Sequence, residues 1–313
     1  MINVIDLLCL FVNMVAKRID LEHIITPIKN GSFVALARAL TLVENDIDPA
    51  AALLKKLAIN REVPVVGITG PPGAGKSTLV NAITAAFCAA NKRVAILAID
   101  PTSPFNYGSL LGDRIRMSKL FNHPNVYIRS VATRGSLGGI SAKTLEMVDV
   151  LRSSNFDLVI VETVGVGQSE VEIAGLADKT ILVLVPEAGD EIQHIKSGLM
   201  EVAQAFVVNK ADRIGADVFA NGLQKMLKDQ HQQIPVFKTI ADKNVGITEV
   251  CDWILTADTV AVIKKEQLLA KQAFQLIQHK RMANVDKQKI LSAITEALKK
   301  GNFNMYTFIA QWC

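Results

Sequence analysis

Residues 63–83 read VPVVGITGPPGAGKSTLVNAI. Val63–Thr69 is a short apolar run rich in β-branched residues, the pattern of a strand buried on both faces. Gly70–Ser77 then satisfies G-x-x-x-x-G-K-[ST] without a mismatch. Beyond it, Leu79, Val80, Ile83 and Phe87 recur at helical spacing. Strand, glycine loop and helix in this order make a phosphate cradle. Gly70, Gly73, Ala74 and Gly75 let backbone N–H groups converge on an anion, and the helix N-terminus at Lys76, Ser77 and Thr78 adds positive potential. Lys76 is expected to reach the β- and γ-phosphates and Ser77 to ligate Mg²⁺.

Outward from this stretch, further apolar runs alternate with longer amphipathic segments. They are 93–99 (RVAILAI), 125–131 (NVYIRSV), 157–162 (DLVIVE), 180–185 (TILVLV), 205–209 (AFVVN) and 234–238 (IPVFK). The alternation predicts an α/β protein of the P-loop NTPase type, a mostly parallel central sheet covered by crossover helices. Such sheets bind ligands at the carboxyl ends of their strands, which is where every motif here falls.

Asn209-Lys210-Ala211-Asp212 follows one of these runs and matches N-K-x-D. A carboxylate at Asp212 accepts from the guanine ring N–H and exocyclic amine. Adenine offers no such pair and would leave the charge unmet. A second base-contacting loop is expected at Thr239-Ile240-Ala241, with Ala241 against the base. Together the motifs predict GTP and GDP as ligands, with Mg²⁺. Run 157–162 ends in Glu162, followed by Thr-Val-Gly165, where a D-x-x-G motif would place its aspartate. Glu162 is expected to hold the cation and the Gly165 N–H to meet the γ-phosphate. Asp100, at the end of run 93–99, and Asp113, in the following loop, are further carboxylate candidates for the metal. For each, a loop-capping or ion-pairing aspartate is the competing assignment.

The bulk numbers bound the rest. Over 313 residues a net charge of +4, with no dense basic block, does not resemble a nucleic-acid-binding footprint. Cys9, Cys88, Cys251 and Cys313 form no C-x-x-C pair, so neither a zinc site nor a disulfide framework follows. Free thiols in a reducing cytosol are expected. Leu7–Ala16 is apolar apart from Asn13, but Asp6 precedes it and Lys17 and Arg18 follow it. That is the reverse of a signal peptide, and the run is well short of the roughly 20 residues of a membrane span. It is expected to be a packing helix.

Residues 1–60 are expected to form a helical N-terminal region, 61–256 the nucleotide domain and 257–313 a helical extension. In that extension Ile290, Ile294, Ala297 and Leu298 share one face. The extension could make an oligomer contact or pack on its own domain.

With these residues in hand, the chain resembles the MeaB/ArgK family of GTPases. The resemblance runs from about Gly31 to Gly246. It rests on ALARALTLVE, GPPGAGKSTL, AIDPTSPF, GSLLGDRIRM, ATRGSLGG, VETVGVGQSE, GDEIQHIKSG and VVNKADR. It implies a GTPase domain with helical extensions, a homodimer, and a cytoplasmic chaperone of adenosylcobalamin-dependent methylmalonyl-CoA mutase. In that family GTP binding and hydrolysis gate cofactor loading. It also implies that Glu162, Asp113 and Asp100 form a magnesium and switch network. Gln193 and Lys196 match a further switch that responds to the mutase, with Lys196 placed to stabilise phosphoryl charge. Tyr107 and Ile240 depart from the family pattern, at the first switch loop and the last base-contacting loop.

Three rival readings stand beside this one. A nickel-delivering metallochaperone would bring a His-rich tract or a paired Cys/His site, and the five histidines here are isolated. A kinase acting with a basic-amino-acid transport system would need a protein acceptor, for which no binding segment is evident. A nucleotide switch without useful hydrolysis stays open, because Gln168 lies three residues after Gly165 rather than beside it.

Overall fold

A computed structural model describes residues 21–100, 120–132, 142–163, 173–189, 203–231, 233–256, 261–282, 285–299, 301, 303–310 and 312. The apolar run Leu7–Ala16 lies outside them. The described chain divides into two compact units, Met1–Leu268 and Leu269–Cys313.

In the first unit all seven expected strands form, within two residues of the expected limits. They are β1 (Val65–Thr69), β2 (Val94–Asp100), β3 (Val126–Ala132), β4 (Leu158–Thr163), β5 (Lys179–Leu184), β6 (Ala205–Val208) and β7 (Val236–Lys238). They make one sheet in the order β3-β2-β4-β1-β5-β6-β7, with every pairing parallel. β1 sits in the middle. The chain goes to one side of it for β2 and β3 and to the other for β5, β6 and β7. A crevice therefore opens at its carboxyl end.

β1, β4, β5 and β6 are buried along their whole length, because helices cover both faces. On one face α4 (Lys76–Ala89) and α7 (Ile247–Leu255) share a core. There Leu79, Val80, Ile83 and Phe87 meet Val66, Ile68, Ile160 and Val183, with Val250 and Ile254 completing the layer. Each such fully buried side chain contributes about 1.5–3 kcal/mol. On the other face Leu182, Leu184, Phe206 and Val208 pack under α6 (Ala216–Asp229), against Ala220, Leu223 and Leu227.

The N-terminal region contains α1 (Glu22–Lys29), α2 (Phe33–Glu44) and α3 (Ala50–Lys56). α2 packs on α5 (Ala142–Arg152). Polar ties anchor it to the edge of the sheet. The Arg93 guanidinium lies over the Phe33 and Phe156 rings, 5.2 and 5.6 Å from their centroids, and donates to the Gly31 carbonyl at 3.1 Å. Arg129, on edge strand β3, donates to Glu44 at 2.5 Å and to the Thr41 hydroxyl at 3.2 Å.

At the opposite end of the sheet from the crevice, Lys179 opens β5 and is only 5 % exposed. Its ammonium donates to the carbonyls of Trp253 (2.8 Å), Ile254 (3.2 Å) and Thr256 (2.6 Å), and lies 4.8 Å from the Trp253 ring centroid. These carbonyls end α7. A cation there satisfies acceptors that the helix cannot satisfy itself and meets the negative end of its dipole. Cys88 and Cys251 are buried free thiols, as expected. Burial raises both, that of Cys251 to about 11.

α8 (Ala261–Met282) ends in the second unit, which also holds α9 (Lys287–Lys299) and α10 (Met305–Ile309). Asn304 caps α10 by accepting from Tyr306 and Thr307, and Phe308 packs between Phe303 and Trp312. On α9, Ile290, Ile294 and Ala297 are half-buried. Leu298, expected on the same face, is exposed. Phe274, Ile277, Met282, Leu291 and Tyr306 are exposed as well. Among the described residues, no helix is long and apolar enough to cross a membrane.

Candidate functional site

The glycine loop leaves β1 at Thr69 and enters α4 at Lys76. Gly75, the N-cap, has φ 86°, and a Cβ there would stand 2.4 Å from the Asn209 amide nitrogen. Only glycine allows that approach. At Gly73 (φ 77°) an added Cβ would meet nothing within 4 Å, so this side of the loop faces open space. Lys76 is 8 % exposed, and its ammonium donates to the carbonyls of Gly70 (2.8 Å) and Pro71 (3.0 Å). The cation is thereby held at the mouth of the loop, where an anion would meet it.

Beside the loop, the Ser77 hydroxyl donates to Glu162 Oε1 at 2.7 Å. Sheet register brings the two together. Glu162 pairs with Ile68 of β1 on one side and Ala98 of β2 on the other, and is only 6 % exposed. A hydroxyl and a carboxylate are hard oxygen donors of the kind Mg²⁺ takes, so this pair fits the cation expected from the motif. One residue on, the Thr163 hydroxyl donates to Thr69 Oγ1 at 2.9 Å, with both side chains fully buried. This tie between the last residues of β4 and β1 had no signature in the sequence.

The N-K-x-D loop and the turn after β7 are joined to the glycine loop through Asn209. Its amide donates to the Ala74 carbonyl at 3.0 Å. Its oxygen accepts from the Thr239 hydroxyl (3.1 Å) and the Ala241 N–H (3.2 Å). Lys210, in the left-handed region at φ 55°, donates to the Gly73 carbonyl at 2.7 Å. Asp212 is open to solvent and pairs with Lys243 at 2.9 Å. That hydrogen bond holds the Asp212 carboxyl below its ordinary range. Ile240 bridges to Val245 and closes the second loop into a tight turn.

The structure therefore brings Gly70, Gly73, Ala74, Gly75, Lys76, Ser77, Glu162, Asn209, Lys210, Asp212 and Ala241 to the carboxyl edge of the sheet. Thr78 follows in the first turn of α4. Asp100 ends β2 at the same edge, and its side chain lies outside the described residues. Asp113, Gly165, Gln168, Gln193, Lys196 and Tyr107 lie outside them too. Lys243 was missed at the sequence level, since a lysine in a polar turn carries no motif.

The profile of the family described as "Methylmalonyl Co-A mutase-associated GTPase MeaB" matches residues 36–298. A protein of Pyrococcus abyssi named as a GTPase is 46% identical over 242 residues, covering 75% of each chain. The mouse protein named "Methylmalonic aciduria type A homolog, mitochondrial" is 36% identical over 255 residues, covering 74% of this chain and 61% of that one. Among solved structures, one described as an LAO/AO transport system kinase superposes with a TM-score of 0.67 at 27% identity, covering 94% of this chain and 97% of that one. A P-loop tied through Asn209 to an N-K-x-D segment, on a chain whose residues 36–298 match the family profile, identifies this protein as a GTPase that belongs to the MeaB family.

Proposed function

We propose that this GTPase binds GTP and GDP with Mg²⁺ at the carboxyl end of β1 and acts as a nucleotide-gated chaperone of an adenosylcobalamin-dependent acyl-CoA mutase, methylmalonyl-CoA mutase foremost. The observation that carries the catalytic half is the Ser77–Glu162 pair, 2.7 Å apart beside the Lys76 loop. The mutase half is supported by the family description and by the name of the mouse relative.

In this reading Lys76 and the loop N–H groups hold the β- and γ-phosphates, and Asp212 reads the guanine edge. Asn209 keeps the phosphate and base loops at a fixed spacing. Ser77 and Glu162 hold Mg²⁺, with Asp100 and Asp113 as the remaining carboxylates of its network. Mg²⁺ bound there withdraws charge from the phosphate oxygens and orients them. The Gly165 N–H senses the γ-phosphate, and Gln193 and Lys196 respond to the mutase, which speeds an otherwise slow hydrolysis. Ordering of loops by the γ-phosphate is the general logic of such switches.

The chain in this reading is a cytoplasmic homodimer whose helical extension, 257–313, makes the dimer contact. Phe274, Ile277, Leu291 and Leu298 are exposed apolar side chains on the helices of that extension. The test is GTP turnover by the purified protein, alone and with a methylmalonyl-CoA mutase from the same source, with ATP as control. Stimulation of GTP but not ATP turnover supports the reading, and its absence removes the mutase as client. The solved relative described as a transport system kinase raises a phosphoryl-transfer reading, which the same assay addresses with γ-labelled GTP. Label released as inorganic phosphate speaks for hydrolysis, and label retained on protein for transfer.

A further inference from the structure

The Asp212 carboxylate, which selects guanine in the reading above, already carries a partner. Lys243 Nζ lies 2.9 Å from its Oδ2, and the two side chains are 60 % and 41 % exposed. Lys243 closes the 3-10 turn Ala241–Lys243, the turn whose first N–H donates to Asn209. The two base-reading loops are therefore tied twice, once in the interior through Asn209 and once at the mouth through Lys243–Asp212. The neighbouring cation, Arg213, is paired elsewhere, with Glu187 at 2.5 Å.

A carboxylate offers about four acceptor positions, so Oδ2 can take the lysine and a ring donor together. Guanine needs both oxygens at once, one for the ring N–H and one for the exocyclic amine. An Asp side chain free to turn meets that pair only part of the time. A single donor tolerates more rotation.

We propose that Lys243 is a positioning residue for base selection, holding the Asp212 carboxylate in the orientation that receives both donors of guanine. The inference rests on the guanine-site reading. It makes Lys243 matter more for guanine than for hypoxanthine, which keeps the ring N–H and lacks the amine.

The experiment measures Kd for GTP and for inosine triphosphate on the full chain. Wild type is compared with Lys243→Ala, Lys243→Gln, Lys243→Arg and Asp212→Asn. Lys238→Ala serves as control, since Lys238 is also exposed and paired at 2.7 Å, but with Asp217. Lys243→Ala and Lys243→Gln are expected to lower the preference for GTP over inosine triphosphate about two- to five-fold, the reach of an exposed charge pair. Lys243→Arg restores it and Lys238→Ala leaves it in place. Added salt moves wild type toward the alanine variant. An unchanged ratio in both neutral variants overturns the proposal, as does tighter GTP binding, which would make Lys243 a competitor of the base. Asp212→Asn separates the two levels. If it keeps the GTP preference, the guanine-site reading itself fails. If it loses that preference while the Lys243 variants do not move, only the inference about Lys243 fails.

Discussion

The Ser77 hydroxyl and the Glu162 carboxylate meet at 2.7 Å across 85 positions of sequence. The contact joins the first turn of the helix after the phosphate loop to the strand beside β1. If the pair holds Mg²⁺, Glu162→Gln keeps the shape and removes the charge. It is expected to lower GTP turnover about 10- to 100-fold and to raise the Mg²⁺ concentration needed for half-maximal rate. Ser77→Ala should act in the same direction, and the double variant should lose less than the product of the two. A Mg²⁺ titration of turnover reads all three, and an unshifted Mg²⁺ requirement in Glu162→Gln would remove the carboxylate from the metal site.

Base selection is expected to depend on the Asp212 charge. Asp212→Asn exchanges an acceptor for a donor at one position, so one guanine donor loses its partner and faces another donor. The preference for GTP over ATP should fall by a factor of about a hundred or more. Competition of unlabelled ATP against a fluorescent GTP analogue measures this directly.

Asn209 serves three partners from a buried position. Asn209→Ala leaves the Ala74 carbonyl, the Thr239 hydroxyl and the Ala241 N–H to find others. The expected loss is about 1–3 kcal/mol of stability even without nucleotide, or roughly 2–4 °C in Tm per kcal/mol for a domain of this size. Thermal unfolding of the nucleotide-free protein checks it. Intact stability with weakened GTP binding would instead confine Asn209 to the ligand.

Lys179 makes a prediction far from the nucleotide. Lys179→Met keeps the length and takes the donor away from the carbonyls of Trp253, Ile254 and Thr256. The expected destabilisation is about 2–4 kcal/mol, the range for stranding buried acceptors at a helix end. Denaturant unfolding should show it as a lower midpoint, with GTP affinity retained at temperatures where the fold persists.

The Cys251 thiol gives a pH prediction. Burial lifts it from 9.0 to about 11. The folded state therefore holds this proton more tightly than the unfolded state. Its contribution to stability is complete below pH 9 and is lost as pH rises toward 11. Cys251→Ala should flatten that part of the stability–pH curve. In a Cys9→Ser, Cys313→Ser background, a thiol reagent at about pH 8 should find Cys88 and Cys251 unreactive until the protein unfolds.

Much of the fold was legible because its signals are local. A parallel strand buried on both faces must be apolar along its whole length, and the seven runs were recognisable for that reason. The glycine loop and the asparagine–lysine–aspartate motif announce themselves through residue types few other backbones need. Helix α1 and the brevity of β7 were less evident. Pro27 interrupts the first, and β7 spans only Val236–Lys238 within the longer apolar run Ile234–Lys238.

By itself, then, the sequence determined the strands and the order of strand, loop and helix around Lys76. Those follow from contacts within a few positions. Only the tertiary structure decided which of those residues meet. Glu162 reaches Ser77 because β4 pairs with β1 in the register that sets Glu162 against Ile68. Asn209 reaches Ala74 because β5 and β6 follow β1 in the sheet. Lys243 reaches Asp212 because a short turn after β7 folds back over the end of β6. Sheet register and strand order are set by the packing of the whole core, so no window of sequence carries them.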